Sequence, residues 1–286
     1  MLQPQPPTRT ASAFAATRRD LDSFRSLVLA HFRVHGRDFP WRRTRDPYLI
    51  IVSEIMLQQT QVTRVAPKYT EFTEAFPDLE SLAQAPLEEV LRRWQGLGYN
   101  RRAVALKRLA ERVTAEHGGR IPRDLQSLLR LPGVGPATAA AVAAFAFGEA
   151  HPFLETNIRA AYLHHFFADR ERVADAELLP LVEATLDRTD PRTWYYALMD
   201  YGSALKRRGN NPSRRSRHHV RQSPFEGSRR RLRARALRAI LDAPGIRAPE
   251  IADAVETCVE DLEPVLGKLV DEGFVEVSQG RYRPAS

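Results

Sequence analysis

The sequence predicts an all-α fold that ends in a small C-terminal module with a winged-helix-like pattern. Helical segments follow one another from Asp20 to about Gly202, and no strongly alternating segment occurs before residue 274. With 286 residues, 43% of them hydrophobic, the chain is long enough to bury the core of one large domain or of two small ones. The main part of the chain is therefore expected to be built from helices alone.

The helices are separated by clear breaks. Residues 1–17 are rich in Pro, Thr and Ala and are predicted to be disordered. The breaks that follow are "GRDFPW" (36–41), "AFPDLES" (75–81), "AQAPLEEV" (83–90), "GLGYN" (96–100), "HGGRIPRD" (117–124), "LPGVG" (131–135), "GEAHPF" (148–153) and "TDPRTW" (189–194). Pro86 ahead of Glu88 and Glu89 predicts an N1 proline with acidic residues in the first turn, and Pro122 begins a helix in the same way.

The C-terminal part of the chain has a different composition. Residues 207–228 are dense in arginine and poor in apolar residues, which predicts a basic linker that is either solvated or follows phosphates. Helices are predicted over 236–256 and 260–272, and a short hairpin over 273–284. Helices followed by two strands indicate a winged-helix-like domain over 229–286.

The charge balance favours an anionic polymer or an anionic membrane as the partner. Lys and Arg number 43 against 35 Asp and Glu, for a net charge of +8. No apolar run reaches the roughly 18 residues that a membrane span needs, and "MLQPQPPTRTASAF" lacks the apolar core of a secretion signal. We therefore expect a protein that binds nucleic acid and does not bind a membrane. We expect it to be a monomer, located in the cytoplasm in association with the nucleoid.

One carboxylate stands inside an otherwise uncharged run, "SEIMLQQTQV" (53–62). The residues on or near one helical face are Ile50, Ile51, Glu54, Leu57, Gln58 and Gln61. Glu54 thus lies among apolar residues, with glutamines one and two turns further on. It is either a buried residue paired with a later arginine, an exposed residue at the helix edge, or a functional acid.

A tight turn with two glycines occurs in "LPGVGPATAAAVAAFAFG" (131–148). A short helix leads into the turn and an Ala-rich helix follows, which is the helix-hairpin-helix pattern. The glycines let the backbone approach a ligand closely, and the first N–H groups of the second helix are free to bind a phosphate. Such a hairpin holds DNA by its backbone without reading sequence. An ordinary αα-hairpin is the alternative. The residues expected at the DNA are Leu131, Gly133, Gly135 and Thr138.

The chain resembles the helix-hairpin-helix DNA glycosylases, and most of all the MutY-type adenine glycosylases. The motifs that carry the resemblance are "SEIMLQQTQV", "WQGLGYNRRA", "LPGVGPATAAA", "FLETNI" and "ALMDYG", in matching order over about residues 21–206. The resemblance implies a two-lobed, all-α glycosylase core over 18–206. One lobe would be a six-helix barrel over about 45–153. The other would combine 18–44 with 154–206, with double-stranded DNA running across the cleft between the lobes.

The resemblance also assigns roles to residues. A base inside a duplex cannot be reached, so a glycosylase extrudes it and fills the gap. Gln58, Gln59 and Tyr99 match family positions that wedge into the duplex or border the gap, although Tyr99 could instead be a core residue. Glu54 matches the acid that protonates the departing base. A carboxyl group in a partly apolar pocket keeps its proton to higher pH, which suits that task.

A second carboxylate is expected just after the hairpin helix. Glu155 in "LETNI" occupies that position, where it would face the positive charge that develops on the sugar. Asn157 would be its neighbour in the pocket. The alternative is that Glu155 only caps the next helix by accepting from its free N–H groups.

The chain departs from the family pattern at several points. Relatives usually carry four cysteines after the motif seen here as "ALMDYG", and these hold an iron–sulfur cluster. This chain has a single cysteine, Cys258, which is expected to be structural, so we expect no cluster and no other cofactor or metal. The family's second carboxylate is normally Asp rather than Glu155. The lysine that bifunctional relatives place in the hairpin helix is here Ala137.

Three functions remain open at this point. The first is a monofunctional base-excision glycosylase, with mispaired adenine as the first substrate to consider. The second is a glycosylase of the same fold that acts on thymine or uracil opposite guanine. The third is a non-catalytic DNA-binding regulator, which the carboxylates at Glu54 and Glu155 argue against. The tail is too short for the larger β domain with which adenine enzymes recognise 8-oxoguanine, so that recognition is in doubt.

Overall fold

The structure, a computed structural model, describes residues 16–207, 211–219 and 228–285. Almost all of the predicted disordered tail, and the linker residues 208–210 and 220–227, lie outside this part of the chain. The chain divides into two compact units, of which the first combines 1–37 with 150–219 and the second combines 38–149 with 220–286. Both units are built mainly from helices, which confirms the all-α prediction.

The first unit is organised around four helices and a cluster of aromatic rings. Its helices are α1 (Arg18–His35), α9 (Thr156–Phe166), α10 (Asp175–Thr185) and α11 (Pro191–Arg207). Phe24 of α1 lies 5.0 Å from the ring of Tyr162 and 5.1 Å from that of Phe166. Asp200 of α11 is 2% exposed and accepts from the backbone N–H of Arg37 at 2.8 Å and from its Nε at 2.7 Å. This ion pair fastens the chain after α1 to α11.

The segment 211–219 of the first unit belongs to the predicted basic linker and packs against helices of that unit. Residues Pro212–Arg215 form a 3₁₀ helix, and the hydroxyl of Ser213 donates to the carbonyl of Thr156 at 3.1 Å. Ser216 is 6% exposed and forms a parallel bridge with Val173. Side-chain and backbone hydrogen bonds thus attach these residues to the fold.

The second unit begins with seven helices. These are α2 (Pro47–Leu57), α3 (Val62–Ala75), α4 (Leu79–Gln84), α5 (Leu87–Trp94), α6 (Arg101–His117), α7 (Leu125–Leu129) and α8 (Pro136–Val142), which continues as a π-helical turn over Ala143–Phe147. The core contains Trp94, Phe72 and Ile51, each with no exposed surface. Asp46 caps α2, and the hydroxyl of Tyr48 donates to the carbonyl of Phe76 at 2.6 Å, which fixes α2 to the end of α3.

The C-terminal module, residues 229–285, completes the second unit. Its elements are α12 (Arg229–Asp242), β1 (Ile246–Arg247), α13 (Ala248–Val255), α14 (Val259–Asp271), β2 (Val275–Ser278) and β3 (Arg281–Pro284). The strands form an antiparallel sheet in the order β1-β3-β2. The hairpin predicted over 273–284 is therefore present, but the single helix predicted over 236–256 is wrong. Pro244 and Gly245, the latter at φ +93°, end α12 and lead into a strand.

Two further expectations concern single features. Cys258 is exposed at the N-terminal cap of α14, so it is not a buried structural thiol. Among the described residues, no helix is both long enough and apolar enough to cross a membrane.

Candidate active site

Glu54 lies in the C-terminal half of α2 and is the only charged residue of that helix. It is half-buried, whereas its helix neighbours Ile50, Ile51 and Ile55 are at most 1% exposed. The side chain is therefore held on a helix whose other faces are fixed in the core. One turn later the helix ends at Gln58, so the carboxyl group and the loop after α2 share one face of the molecule.

The loop after α2 places its two glutamines in different surroundings. The Nε2 of Gln58 donates at 3.1 Å to the carbonyl of Gly133 and at 3.1 Å to the hydroxyl of Thr138. Gln58 thus ties this loop to the hairpin. Gln59 is exposed and has a left-handed backbone at φ +53°, which is strained for a residue with a side chain. Of the two glutamines predicted to wedge into the duplex or border the gap, Gln59 is the one with an exposed side chain.

Tyr99 belongs to a second strained loop, between α5 and α6. Its backbone is left-handed at φ +48°, and its side chain is 41% exposed. The alternative that Tyr99 is a core residue is therefore wrong. A planar ring on an exposed, strained turn next to Gly98 is suited to stacking against bases.

Arg102 connects these two loops, and sequence reasoning missed it. The residue is only 9% exposed. Its guanidinium donates to the carbonyl of Gln58 at 2.5 Å and to the hydroxyl of Thr60 at 2.9 Å on one side, and to the carbonyl of Gly98 at 3.0 Å on the other. It also donates to the last carbonyls of α2, at Ile55 and Met56.

The electrostatics of Arg102 follow from this burial. Desolvation lowers the pKa of Arg102 to about 10, which leaves it a cation at neutral pH. Its guanidinium lies 5.4 Å from the ring centre of Tyr99, a cation–π distance. The sequence did carry a signal for this role, because Arg102 falls on the buried face of α6 with Leu106 and Leu109. A charged residue at such a position needs partners.

The hairpin presents its backbone rather than its side chains. Gly133 is at φ +78°, and a Cβ there would lie 2.9 Å from the Cβ of Ala105, so only glycine fits. Gly133 and Gly135 are exposed. Leu131 and Thr138 are 3% and 8% exposed, so their predicted contacts with DNA cannot involve the side chains. Leu131 shapes the turn by accepting from the N–H of Val134 at 3.2 Å.

Glu155 and Asn157 belong to the first unit. Glu155 is the N-cap of α9, and its Oε1 accepts from the backbone N–H groups of Asn157 and Ile158, each at 2.8 Å. Its Oε2 accepts from the side-chain amide of Asn157 at 3.1 Å. The capping geometry is therefore present. It does not use up the carboxylate, because each oxygen can accept two hydrogen bonds and Oε2 is given only one by these partners.

Lys206 extends this group and was not predicted from the sequence. Its Nζ donates to the Oδ1 of Asn157 at 3.1 Å. Burial raises the pKa of the Glu155 carboxyl, whereas the N–H groups that it accepts from and the charge of Lys206 act in the opposite direction. Burial lowers the pKa of Lys206, and the charge of Glu155 opposes that shift. The two groups therefore stabilise each other's charged forms.

Gly202, in the motif "ALMDYG", explains how α11 reaches this group. A Cβ at this position would lie 1.9 Å from the carbonyl oxygen of Asn157. The contact between α9 and α11 is thus as close as two backbones allow. It brings Lys206, one turn further along α11, to the side chain of Asn157.

The residues of this chain do not fit the iron–sulfur cluster of related glycosylases. Such a cluster needs four thiolates, whereas the sequence contains one cysteine, and it lies in the C-terminal module. No group of three or more His, Cys, Asp or Glu side chains among residues 16–207, 211–219 and 228–285 is arranged to hold a metal ion.

Comparisons with known proteins identify the family of the chain. The family model of the HhH-GPD superfamily base excision DNA repair proteins matches residues 52–183. Over 193 residues the chain is 33% identical to the thymine/uracil-DNA glycosylase of Methanothermobacter thermautotrophicus, which covers 66% of this chain and 87% of that protein. The chain belongs to the HhH-GPD superfamily.

Two further relatives place the chain within the HhH-GPD superfamily. It is 41% identical over 172 residues to the adenine DNA glycosylase of Mycolicibacterium smegmatis, which covers 59% of this chain and 58% of that protein. The solved structure of a thermostable thymine-DNA glycosylase is 33% identical with a TM-score of 0.60, over 66% of this chain and 88% of that one. The chain thus spans little more than half the length of the adenine relative.

Proposed function

We propose that this protein is a monofunctional DNA glycosylase that removes a mispaired base, with adenine as the first substrate to test. The observation that carries the proposal is the arrangement around Glu54. A half-buried acid lies one helical turn before a strained, exposed loop at Gln59, and Arg102 holds that loop together with the one that carries Tyr99. A protein that only binds DNA gains nothing from an acid at such a surface, because it would repel phosphate.

In the proposed reaction, Gln59 and Tyr99 occupy the space left by the extruded nucleotide. Glu54 donates a proton to the base as the bond between the base and C1′ of the sugar breaks, so the base leaves as a neutral molecule. The sugar is left with positive charge, which the carboxylate of Glu155 stabilises. Water then adds to C1′ and gives a proton to the Glu54 carboxylate, which restores the acid and leaves an abasic site in an intact strand.

The proposal that the enzyme is monofunctional rests on the hairpin helix. Strand cleavage by β-elimination usually needs an amine that forms a Schiff base with the sugar, and Ala137 offers none. The Nζ of Lys206 donates to the side chain of Asn157, and its proposed role is to position Asn157 and Glu155. Treatment with borohydride during the reaction should therefore trap no enzyme on DNA. Efficient covalent capture would contradict the monofunctional assignment.

Thymine or uracil opposite guanine is the second candidate substrate. One relative is named a thymine/uracil-DNA glycosylase, and the chain aligns with 87% of its length. The adenine relative is more similar in the matched region, at 41% identity. The deciding experiment uses the purified protein and duplexes with adenine opposite guanine or 8-oxoguanine, thymine or uracil opposite guanine, and matched pairs. Alkali-labile sites identify the substrate. Tight binding without base release on every duplex would instead favour a regulator.

Glu54→Gln is the matched control for that experiment. The amide keeps the shape of the side chain and some hydrogen bonding, but it cannot donate the proton. We expect duplex binding to remain, while single-turnover base release falls roughly 10²- to 10⁴-fold or more. If the variant releases base at nearly the wild-type rate, Glu54 is not the general acid.

A further inference from the structure

Three arginines lie on one face of the sheet in the C-terminal module. Arg247 of β1 is the direct cross-strand partner of Arg281 of β3, and Arg283 follows two residues later on the same strand. Partners in an antiparallel pair and residues two apart on a strand share a face. We call these three residues the arginine face.

The arginine face concentrates positive charge at one place. The guanidinium of Arg281 donates to the carbonyl of Gly245 at 2.9 Å, and the Nε of Arg283 lies 3.7 Å from where a Cβ of Gly245 would be. All three side chains are exposed. Glu276, opposite Arg283, is the one carboxylate of this face in the described strands. In the described part of the chain none of the three arginines forms an ion pair.

The helix that would enter a groove of DNA in a winged-helix protein is unsuited to that role here. α14 follows α13 in the position of a recognition helix. Its exposed charged residues are Glu260, Asp261, Glu263, Lys268 and Asp271. Four carboxylates against one lysine would be repelled by the phosphates on either side of a groove. If the module contacts DNA, it does so through the sheet and not through α14.

The module is fixed close to the loop that carries Tyr99. Glu272, just after α14, forms ion pairs with Arg101 at 2.6 Å and with Arg233 at 2.8 Å. Arg101 is the first residue of α6, two residues after Tyr99. A second attachment joins Arg92 of α5 to the end of α12, where it contacts the carbonyl of Leu241.

These attachments limit where the sheet can be. Glu276 in β2 follows Glu272 by four positions, so their Cα atoms are at most about 14 Å apart. Arg283, opposite Glu276, is therefore held in the part of the module that is attached next to the Tyr99 loop.

We propose that the arginine face binds the phosphates of the duplex next to the extruded base, without reading sequence. The inference rests on the proposed function only for the position of the contact. Each phosphate contact that displaces a counterion contributes about 0.9 to the slope of log affinity against log salt concentration. We therefore expect the arginine face to contribute about two to three units to the slope of log affinity against log salt concentration for the whole protein.

The test compares two full-length variants that lose the same charge. The first is Arg247→Gln, Arg281→Gln, Arg283→Gln. The control is Arg235→Gln, Arg238→Gln, Lys268→Gln, whose arginines pair with Glu256 and Asp242. Affinity for a matched, undamaged duplex longer than two helical turns is measured by fluorescence anisotropy over a range of salt concentrations.

We expect the slope of the first variant to fall by about 2 to 3, while the control stays close to wild type. The corresponding Arg→Lys triple variant keeps the three positive charges and should therefore keep most of the slope. This variant distinguishes the loss of phosphate contacts from the loss of folding. An unchanged slope in the first variant, or an equal loss in the control, would overturn the proposal. Because undamaged DNA is used, the result does not depend on whether the protein releases any base.

Discussion

At the scale of single residues, Arg102 is the most informative position, because it positions two loops without touching DNA itself. Arg102→Lys keeps the charge but loses the planar fork of donors. We expect the protein to remain folded, less stable by about 1–3 kcal/mol because buried carbonyls lose their partners. We also expect weaker extrusion of a base, measured by the fluorescence of 2-aminopurine next to the mismatch.

Arg112→Lys is the matched control, since Arg112 is exposed on the same helix and pairs with Glu116 of that helix. It should leave the fluorescence change nearly intact. If Arg102→Lys extrudes the base as well as wild type despite lower stability, Arg102 is only a structural residue.

The pH dependence of base release should reveal the charge state of Glu155. The proposed role needs the carboxylate, so activity is present above the pKa of Glu155 and is lost as the pH falls through it. The charge of Lys206 holds that pKa below the value that burial alone would give. Lys206→Met removes this charge, so the pKa rises and the acidic limb of the single-turnover rate should move to higher pH.

Glu155→Gln completes that experiment. The amide should lower single-turnover base release roughly tenfold or more with folding intact, and the acidic limb due to this group should disappear. If Glu155→Gln reacts as fast as wild type, the residue acts only as the helix cap. Glu54 would then work without a second carboxylate at this position.

The residues predicted from the sequence differ from the missed ones in how far along the chain their partners lie. Glu54 could be found because it is an acid in an apolar run, whereas Gln59 and Tyr99 were predicted from the resemblance to the family. Arg102 and Lys206 act through contacts with residues 47 and 49 positions away in the chain. No local pattern encodes such distances, and only the register of Arg102 on an apolar face hinted at its role.

At the scale of elements, the packing of α9 against α11 determines where Glu155 and Asn157 lie. Gly202→Ala places a methyl group against the backbone of Asn157, which neither helix can avoid without moving. Such overpacking costs typically 1–3 kcal/mol. A shift of about 1 Å at the start of α9 can lower the rate about 10²-fold. Thermal unfolding and single-turnover kinetics measure the two effects.

Gly267→Ala is the control for this substitution, because Gly267 is also helical but has nothing within 4 Å of its missing Cβ. It should leave base release unchanged and stabilise the protein by up to about 1 kcal/mol. Wild-type kinetics in Gly202→Ala would mean that the start of α9 tolerates displacement and does not hold catalytic groups.

Element boundaries show where sequence patterns lose precision. Asp124, rather than Pro122, caps α7, and Pro86 lies at the cap of α5 rather than in its first turn. The pattern over 236–256 is helical on both sides of Pro244, so the two-residue strand between α12 and α13 has no signal of its own. That strand exists because β3 pairs with it, which is a tertiary contact.

At the scale of the whole molecule, charge is not evenly distributed. The net charge is +8, yet the exposed surface of α14 is acidic. The net charge therefore does not indicate which surface of the C-terminal module would contact DNA. The order of helices was predictable because each helix has its own apolar periodicity. The docking of the C-terminal module on α5 and α6 was not, because it depends on a few ion pairs between residues more than a hundred positions apart.

The region after α11 bears on the prediction that the protein holds no iron–sulfur cluster. The segment 211–219 attaches to α9 through Ser213 and to Val173 through a backbone bridge, and Lys206 contacts Asn157. Hydrogen bonds thus fasten the region that follows α11, where related enzymes use thiolates.

We therefore predict that the purified protein is colourless and contains no stoichiometric iron, since one cysteine cannot supply four ligands. If no metal contributes to folding, as we predict, a strong chelator should leave the thermal unfolding of the protein unchanged. Ser213→Ala, by contrast, should lower the unfolding temperature, since it leaves the carbonyl of Thr156 without this donor. Stoichiometric iron with a broad absorbance in the visible blue would show that this account of the region after α11 is wrong.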